Sequence, residues 1–373
     1  MERIIFIILL AWCIGVSRQS DSDTVELVHV IFRHGARTPA AIDLYPNDPY
    51  KLDAFLPMGY GELTNEGKKQ EYKLGKMLRK RYNTLLGEIF YTDMIRPLST
   101  DYSRTKMSAQ LLLAGLFPPA PSQMWDEDLP WLPVPVEYEK YDEDYLLIRP
   151  NKYCTKYGRE YKDVLQSNDS ISFLKQHHDS LEYISKHAGK EYKTVEDVFG
   201  IFHTLNAEYT MNLTLPEWTK RIFPGVVTEF AIKRGELENF TPSMRKLNGG
   251  RVLQQVVKHM VAKSKNILEP SRRKMYLYSG HDYNVVNILK VLNLFEPHFP
   301  NYSSSVVIEL HHFPDKNDYA VKILHSKSAG EDYEEKQLNG CEVMCPLETF
   351  LNITQKLVPA NYTIECESSF TLD

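Results

Sequence analysis

The sequence lacks three features that would assign the chain to a specialised class. Lys and Arg total 44 against 49 Asp and Glu, so no basic surplus exists to draw the chain to nucleic acid or anionic lipid. It also contains no internal repeat and no low-complexity linker. The composition, 43% hydrophobic and 25% charged over 373 residues, is that of an ordinary globular chain. Any anion-binding site must therefore be a local cluster of positive side chains.

Long apolar runs are also absent, apart from one at the N-terminus. Residues 4–16 form an apolar stretch that is too short for a membrane-spanning helix, which needs about 20 residues. The stretch follows Arg3 and ends at the small residues Gly15 and Ser17, which is typical of a signal peptide. We expect residues 1–17 to be removed. No retention signal or lipid-anchor tail ends the sequence, so we expect a secreted, extracellular protein with no membrane attachment.

Cysteine is scarce, and its number agrees with export. Loss of Cys13 with the signal peptide leaves four cysteines, an even number suited to an oxidising compartment, and three pairings are then open. Sequons for N-glycosylation occur at Asn168, Asn212, Asn239, Asn301, Asn352 and Asn361. Some glycosylation is expected, least of all at Asn239, because Pro242 follows its threonine.

Strand and helix patterns predict an α/β protein. Residues 25–32 are apolar and β-branched, which favours a strand buried on both faces in a parallel sheet. An amphipathic helix is predicted over 63–82 with Thr64 as its N-cap, and a second helix from Ser99 or Thr100 to Gly115. Strand patterns return at 274–279, followed by a helix, and then at 306–311 and 319–325.

The segment of residues 125–244 interrupts this pattern. It is rich in Tyr, Lys, Asp and Glu, has few runs of Val and Ile, and contains a clear helix at 195–209. We therefore predict one domain over 24–373. Its α/β body would span about 24–124 and 245–373, with a helical insertion over about 125–244.

The motif that carries chemistry directly follows the first strand and reads Arg33-His34-Gly35-Ala36-Arg37-Thr38-Pro39. In open α/β sheets, ligands bind at the carboxyl ends of strands. Guanidinium groups remain charged and their forked donors match phosphate oxygens. Neighbouring positive charge disfavours the imidazolium form, so His34 should be a neutral nucleophile, and Gly35 should let the backbone approach a ligand. The alternative, a surface loop with solvated arginines, is disfavoured by the seven-residue pattern.

Two further segments gain meaning only beside this motif. His281 and Asp282 follow a predicted strand at the start of a helix, where anions bind readily. Asp282 can protonate a departing alkoxide if it carries a proton when substrate binds. Arg104 falls in the first turns of the second helix. Alone, the His-Asp pair would be an ordinary cap and Arg104 an exposed helical arginine.

Metal chemistry has little support in the sequence. No HxH or HExxH pattern occurs, and Cys341 and Cys345 have no second ligand pair at zinc-finger spacing. The adjacent pairs His177-His178 and His311-His312 are poorly placed to share one ion, and we interpret them as surface or loop histidines. We expect no metal and no cofactor.

Taken together, these motifs resemble those of the histidine acid phosphatases, the branch of the phosphoglycerate-mutase-like superfamily with RHGxRxP near the start and HD near the end. The resemblance covers nearly the whole mature chain and includes Gly61–Gly67, Arg79–Tyr82 and Arg104–Pro119 in the family's order. Segments such as 213–218 and 340–347 are most similar to acid phosphatases of insect venoms. The resemblance implies a three-layer α/β fold with a mostly parallel sheet and a smaller helical insertion.

The resemblance also implies roles for the site residues. His34 would attack phosphorus and become a phosphohistidine, and Asp282 would protonate the leaving oxygen. The phosphate oxygens would be held by Arg33, Arg37, Arg104 and His281. The substrate would be a small phosphomonoester, and the arginines would replace a metal ion in neutralising charge. The family pairing suggests disulfides Cys341–Cys345 and Cys154–Cys366, one fewer than vertebrate members have. Members are often dimers, so a homodimer is suggested, although no segment identifies an interface.

Two other functions remain open. A phytase shares the motifs but needs extra positive charge in the insertion. Candidates for that charge are Lys152, Lys156 and Arg159. The negative charges of nearby Glu160 and Asp163 partly offset them. A non-catalytic secreted glycoprotein of the same fold is the other alternative, and the intact His34 and Asp282 disfavour it.

Overall fold

The computed structural model describes residues 24–367, and a mixed sheet of eight strands forms its centre. The predicted signal peptide and Cys13 lie outside the described residues. The strands are β1 (Val25–Arg33), β2 (Ile95–Ser99), β3 (Glu137–Tyr138), β4 (Met275–Gly280), β5 (Ser305–Phe313), β6 (Asp318–Ser326), β7 (Glu334–Lys336) and β8 (Cys345–Pro346). Their order is β3-β2-β4-β1-β5-β6-β7, with β8 paired to β6. The first four in this order are parallel, and β5 to β8 are antiparallel to their neighbours.

Helices cover both faces of the sheet. They are α1 (Asn65–Arg81), α2 (Asn83–Leu86), α3 (Ser103–Leu116), α4 (Thr155–Leu165), α5 (Asn168–Gln176), α6 (His178–Ala188), α7 (Val195–Thr210), α8 (Gly225–Leu237), α9 (Pro242–Leu247), α10 (Gly249–Ser264), α11 (Asp282–Val291), α12 (Leu347–Thr354) and α13 (Tyr362–Glu365). Alternate residues of a strand point to opposite faces. Thus Leu27 and Ile31 of β1 pack with α10 and α11, whereas Val30 and Phe32 pack with α1 and α3. This is the three-layer α/β arrangement expected from the sequence.

Between β3 and β4 the chain is helical and has a hydrophobic core of its own. Side chains of α4 and α6 to α9 form most of this core, together with Tyr45 from before it and Tyr362 and Cys366 from the end of the described chain. The short strand β3 also belongs to the 125–244 segment, yet it pairs with β2 at the edge of the sheet. The exact division into body and insertion stays a prediction.

Most predicted elements lie within a few residues of the observed ones, and two details were wrong. Thr64 caps α1 as predicted, accepting a hydrogen bond from the backbone N–H of Gly67. The N-cap of α3 is Tyr102, not Ser99 or Thr100, because Ser99 still belongs to β2. His177 and His311 are not surface residues. His177 is buried against Phe230, and His311 is buried beside Glu309.

Two disulfides, Cys154–Cys366 and Cys341–Cys345, are present, which confirms the pairing that the resemblance implies. The first joins the start of α4 to the segment after α13 and so ties the helical segment to the end of the described chain. Five of the six sequon asparagines are exposed. Asn239 is the exception, because it is 2% exposed and its amide bonds to Gly235 and Asn287, so this predicted glycosylation site conflicts with the fold. Within residues 24–367, no helix has the length and apolar character needed to cross a membrane.

Candidate active site

Parallel pairing of β1 with β4 brings the two main motifs together. Arg33, the last residue of β1, is in register with Gly280, the last residue of β4, and the backbone N–H of His34 donates to the carbonyl of Gly280 at 3.0 Å. Strand β2 lies on the other side of β4 and ends at Ser99, just before the segment that leads to Arg104. Three parallel strands thus end at one edge of the sheet, where an α/β protein places its ligands.

The predicted site residues converge at this edge. Nη2 of Arg33 lies 3.6 Å from Oδ2 of Asp282, and the rings of His34 and His281 meet edge to face with centroids 5.6 Å apart. Arg104 joins them through Tyr102, whose ring lies 4.4 Å from the Arg104 guanidinium and 5.0 Å from the His281 ring. Arg37 lies close enough for its charge to lower the pKa of both His34 and Arg104. The structure therefore brings together all six residues that the sequence singled out: Arg33, His34, Arg37, Arg104, His281 and Asp282.

His34 is held in a form suited to nucleophilic attack. Its Nδ1 lies 2.8 Å from the carbonyl oxygen of Gly35, which can only accept, so the proton sits on Nδ1 and the lone pair on Nε2. Burial lowers the pKa of His34 well below its ordinary value, and the nearby charges of Arg104, Arg33, His281 and Arg37 lower it further. The sequence pointed to the arginines alone, whereas burial is the larger cause.

Three guanidinium groups give the pocket an excess of positive charge. Arg33 is fully buried and donates through Nη1 to the carbonyl of Pro300 at 2.6 Å, while its Nε and Nη2 have no hydrogen-bond partner among the described residues. Arg37 reaches Asp43 at 3.4 Å. Burial and the charge of Arg37 lower the pKa of Arg104 to about 10. Neighbouring cations disfavour each other's charged form, and an anion placed between them stabilises that form.

His281 and Asp282 occupy the N-terminus of α11. The backbone N–H of His281 donates to Oδ1 of Asn284 at 2.9 Å, and Nε2 of His281 lies 3.0 Å from the hydroxyl of Thr100. The hydroxyl of Thr100 in turn donates to that of Thr105 at 2.9 Å. Because the Thr100 hydroxyl donates to Thr105, Nε2 of His281 is the donor to Thr100, and the single proton of the neutral ring lies on Nε2.

The carboxyl group of Asp282 is strongly acidic in the ligand-free protein. Burial alone would raise its pKa, but the neighbouring cations, Arg33 first and also Arg149, outweigh burial and hold the pKa well below its ordinary value. Asp282 is therefore ionised before any ligand binds, and protonation requires that an anion first offset the surrounding cations.

Gly35 also has a role that the sequence analysis did not predict. A Cβ on Gly35 would lie 2.3 Å from the carbonyl oxygen of Gly67 in α1, and a Cβ on Gly67 would lie 2.0 Å from that of Ala36. This close approach joins the His34 loop to the first turn of α1. The two glycines thus fix the loop against a rigid helix.

Several residues of the pocket escaped the sequence analysis. They are Tyr102, Tyr141, Arg149, His203, Tyr283, Phe299 and Tyr302. Tyr102 stands two residues before Arg104, so its position beside a predicted site residue was a usable signal. Tyr283 likewise follows Asp282 directly, whereas the others come from loops and helices far away in sequence, and no local pattern marks them.

Comparisons with known proteins were made for the whole chain. The model of the histidine phosphatase superfamily (branch 2) matches residues 24–326. The venom acid phosphatase of Apis mellifera is 38% identical over 98% of this chain and 92% of its own length, which confirms the resemblance to insect venom enzymes. Prostatic acid phosphatase of Bos taurus is 30% identical over 98% and 93%. The phytase of Citrobacter braakii superposes with a TM-score of 0.69 at 14% identity, covering 92% of this chain and 99% of that one, which supports the fold alone.

Proposed function

The chain belongs to branch 2 of the histidine phosphatase superfamily, and we propose that it is a secreted acid phosphatase that hydrolyses phosphate monoesters through a phosphohistidine on His34. The curated relatives that carry this name match nearly the full length of the chain. The observation that carries the mechanism is a buried, neutral imidazole with its lone pair on Nε2, surrounded by three guanidinium groups.

The first step is attack of Nε2 of His34 on phosphorus. Arg33, Arg37 and Arg104 hold the three phosphoryl oxygens with donors already fixed by the fold, and His281 becomes a further donor once the negative charge of the phosphate favours its protonated form. Nε and Nη2 of Arg33 are buried and have no hydrogen-bond partner among the described residues. A phosphate can therefore accept from them without breaking an existing hydrogen bond. The guanidinium charges neutralise the transition state in the way that metal ions do in other phosphotransferases. Water then hydrolyses the phosphohistidine.

The proton for the leaving oxygen comes from Asp282. In the ligand-free protein this carboxyl is ionised, since the neighbouring cations outweigh the effect of burial. A bound phosphate brings negative charge to the same cations, which removes most of their effect on Asp282 and favours its protonated form. Lower pH increases the fraction that is protonated, so activity should be greatest in acid.

Secretion is supported by the sequence and by the relatives. Residues 1–17 have the pattern of a signal peptide, and both disulfides suit an oxidising compartment. Glycans are expected on some of the five exposed sequon asparagines, Asn168, Asn212, Asn301, Asn352 and Asn361. The relatives include venom and lysosomal enzymes, whose names place them outside the cytosol.

The direct test is hydrolysis of p-nitrophenyl phosphate at acidic pH with EDTA present, by the wild-type chain and by His34→Ala. We expect the wild-type rate to be unaffected by EDTA and the variant to be inactive, because no other neutral imidazole holds that position. His178→Ala is the matched control, since His178 is exposed on α6. Complete loss of wild-type activity in EDTA, a near-normal rate for His34→Ala, or a trapped phosphoenzyme labelled on another residue would contradict the mechanism.

A further inference from the structure

A buried glutamate on α1 takes no part in the chemistry proposed above. Glu71 is fully buried, its Oε1 accepts a hydrogen bond from the hydroxyl of Ser303 at 2.6 Å, and its Oε2 has no hydrogen-bond partner within residues 24–367. Burial raises the pKa of Glu71 well above its ordinary value, against the smaller opposing effect of the Ser303 hydrogen bond, so the side chain is a neutral acid. An apolar side chain would pack at this position without leaving a buried polar atom unpaired, so packing is a poor explanation for a glutamate.

The residue that bonds to Glu71 has an unusual backbone conformation. Ser303 is fully buried and its φ is +59°, in the left-handed region that residues other than glycine rarely adopt. A residue persists in this region only where its surroundings fix it, and such residues cluster at functional sites. The hydrogen bond from the Ser303 hydroxyl to Glu71 is a contact that fixes it here.

Ser303 belongs to a short segment before β5 that holds both the nucleophile and the first arginine. The backbone N–H of Ser303 donates to the carbonyl of His34 at 3.3 Å, and the backbone N–H of Arg33 donates to the carbonyl of Ser304 at 2.9 Å. The guanidinium of Arg33 donates to the carbonyl of Pro300 at 2.6 Å. The positions of Arg33 and His34 therefore depend on where this segment lies.

The contact with His34 fixes the peptide unit that joins it to Gly35. The carbonyl of His34 accepts from Ser303, and the N–H of Gly35, which belongs to the same planar unit, donates to Oγ of Ser108 at 3.3 Å. The carbonyl of Gly35, which keeps the proton on Nδ1 of His34, follows directly along the chain. Rotation of this peptide unit would therefore move both the His34 ring and the group that sets its tautomer.

One face of α1 supports the nucleophile loop from both sides. Gly67 packs against the backbone of the loop, Oε1 of Gln70 accepts from the N–H of Ala36 at 2.9 Å, and Glu71 accepts from Ser303. These three residues of α1 have the spacing i, i+3 and i+4, which places them on the same side of a helix. The first two hold the loop directly, and Glu71 holds the segment before β5 that closes over its other side.

We propose that Glu71 is a positioning residue for phosphoryl transfer, which acts through Ser303 to keep the segment before β5 in place against Arg33 and His34. The proposal rests on the phosphatase function proposed above. Glu71 is not a catalytic residue, since its only hydrogen bond within the described chain is to Ser303. As a neutral acid it also adds no negative charge to a pocket that depends on an excess of positive charge. Loss of the hydrogen bond lets Ser303 leave its left-handed conformation and releases the carbonyl of His34.

The test is a double-mutant cycle on kcat for p-nitrophenyl phosphate, with Glu71→Leu, Ser303→Ala and their combination, on samples that thermal unfolding shows to be folded at the assay temperature. We expect each single variant to lower kcat by about tenfold to 100-fold, because a displacement of about 1 Å near the reacting group has an effect of this size. The combined variant should fall no further, since both changes remove the same hydrogen bond. Glu71→Gln, whose amide oxygen can still accept from Ser303, should keep a kcat close to that of the wild type.

Glu208→Leu is the matched control, because Glu208 is another fully buried acid with a raised pKa, but it lies on α7 beside Asp48 and not beside the nucleophile loop. We expect it to keep the kcat of the wild type even where its melting temperature differs. If Glu71→Leu does not fold, Ser303→Ala and Glu71→Gln still decide the question. A folded Ser303→Ala with wild-type kcat, single effects that multiply in the combined variant, or a Glu71→Gln as impaired as Glu71→Leu would overturn the proposal. A wild-type chain without phosphatase activity would instead refute the proposed function.

Discussion

The substitution Gly35→Ala tests how the fold positions the nucleophile. A Cβ at this position would lie 2.3 Å from the backbone oxygen of Gly67, whereas an ordinary contact begins at 3.4 Å. The His34 loop must therefore retreat from α1 by about 1 Å, because neither backbone segment can give way cheaply. A misplacement of about 1 Å at a reacting group lowers a rate by about 100-fold. Overpacking of this kind lowers the free energy of unfolding by about 1–3 kcal/mol.

The assay is kcat/KM on p-nitrophenyl phosphate together with thermal unfolding of the same samples. We expect Gly35→Ala to lose about 100-fold in kcat/KM and to melt at a lower temperature. Gly158→Ala is the matched control, since Gly158 lies within α4 and an added Cβ would meet nothing closer than 3.5 Å. That variant should keep full activity and gain about 0.5–1 kcal/mol, because alanine is the better helix former. If Gly35→Ala retained wild-type activity and stability, the contact with Gly67 would not be what fixes the loop.

Two further predictions concern stability. Glu208 and Asp48 are buried together, and burial with the Asp48 charge raises the pKa of Glu208 to about 9. The folded state thus holds a proton that the unfolded state has lost, so this group lowers stability as pH rises from about 4.5 to 9, by at most about 1.4 kcal/mol per pH unit. Glu208→Gln should therefore gain in melting temperature relative to the wild type as pH rises, and parallel curves would contradict this. Replacing Cys154 and Cys366 by serine should lower the free energy of unfolding in urea by up to about 5 kcal/mol, because that bridge spans 212 residues. Removing the Cys341–Cys345 bridge, which spans four residues, should lower it less. Equal effects of the two replacements would refute the reasoning from loop length.

The fold class and the motif residues were predictable because they depend on local signals. The apolar run of β1 and the caps and periodicity of α1 specify elements whose bounds shift by only a residue or two in the structure. The start of α3 was misplaced since Ser99 continues the ladder of β2 beside β4, and pairing of this kind is not visible in a local pattern. His311 was assigned to the surface or a loop for the same reason: β5 pairs with β1 and β6, and this pairing also brings the distant Thr24 within hydrogen-bond distance of His311.

The sequence by itself singled out the side chains that meet at one edge of the sheet, since the RHGxRxP motif and the His-Asp pair each follow a strand pattern. Only the tertiary structure decided their charge states. Burial contributes more to the neutrality of His34 than the adjacent arginines do, and the ionised state of Asp282 results from arginines on separate segments, Arg33 and Arg149. Desolvation and Coulomb interactions depend on distances in space. Residues remote in sequence, such as His203, therefore lie close to the site although no sequence motif identifies them.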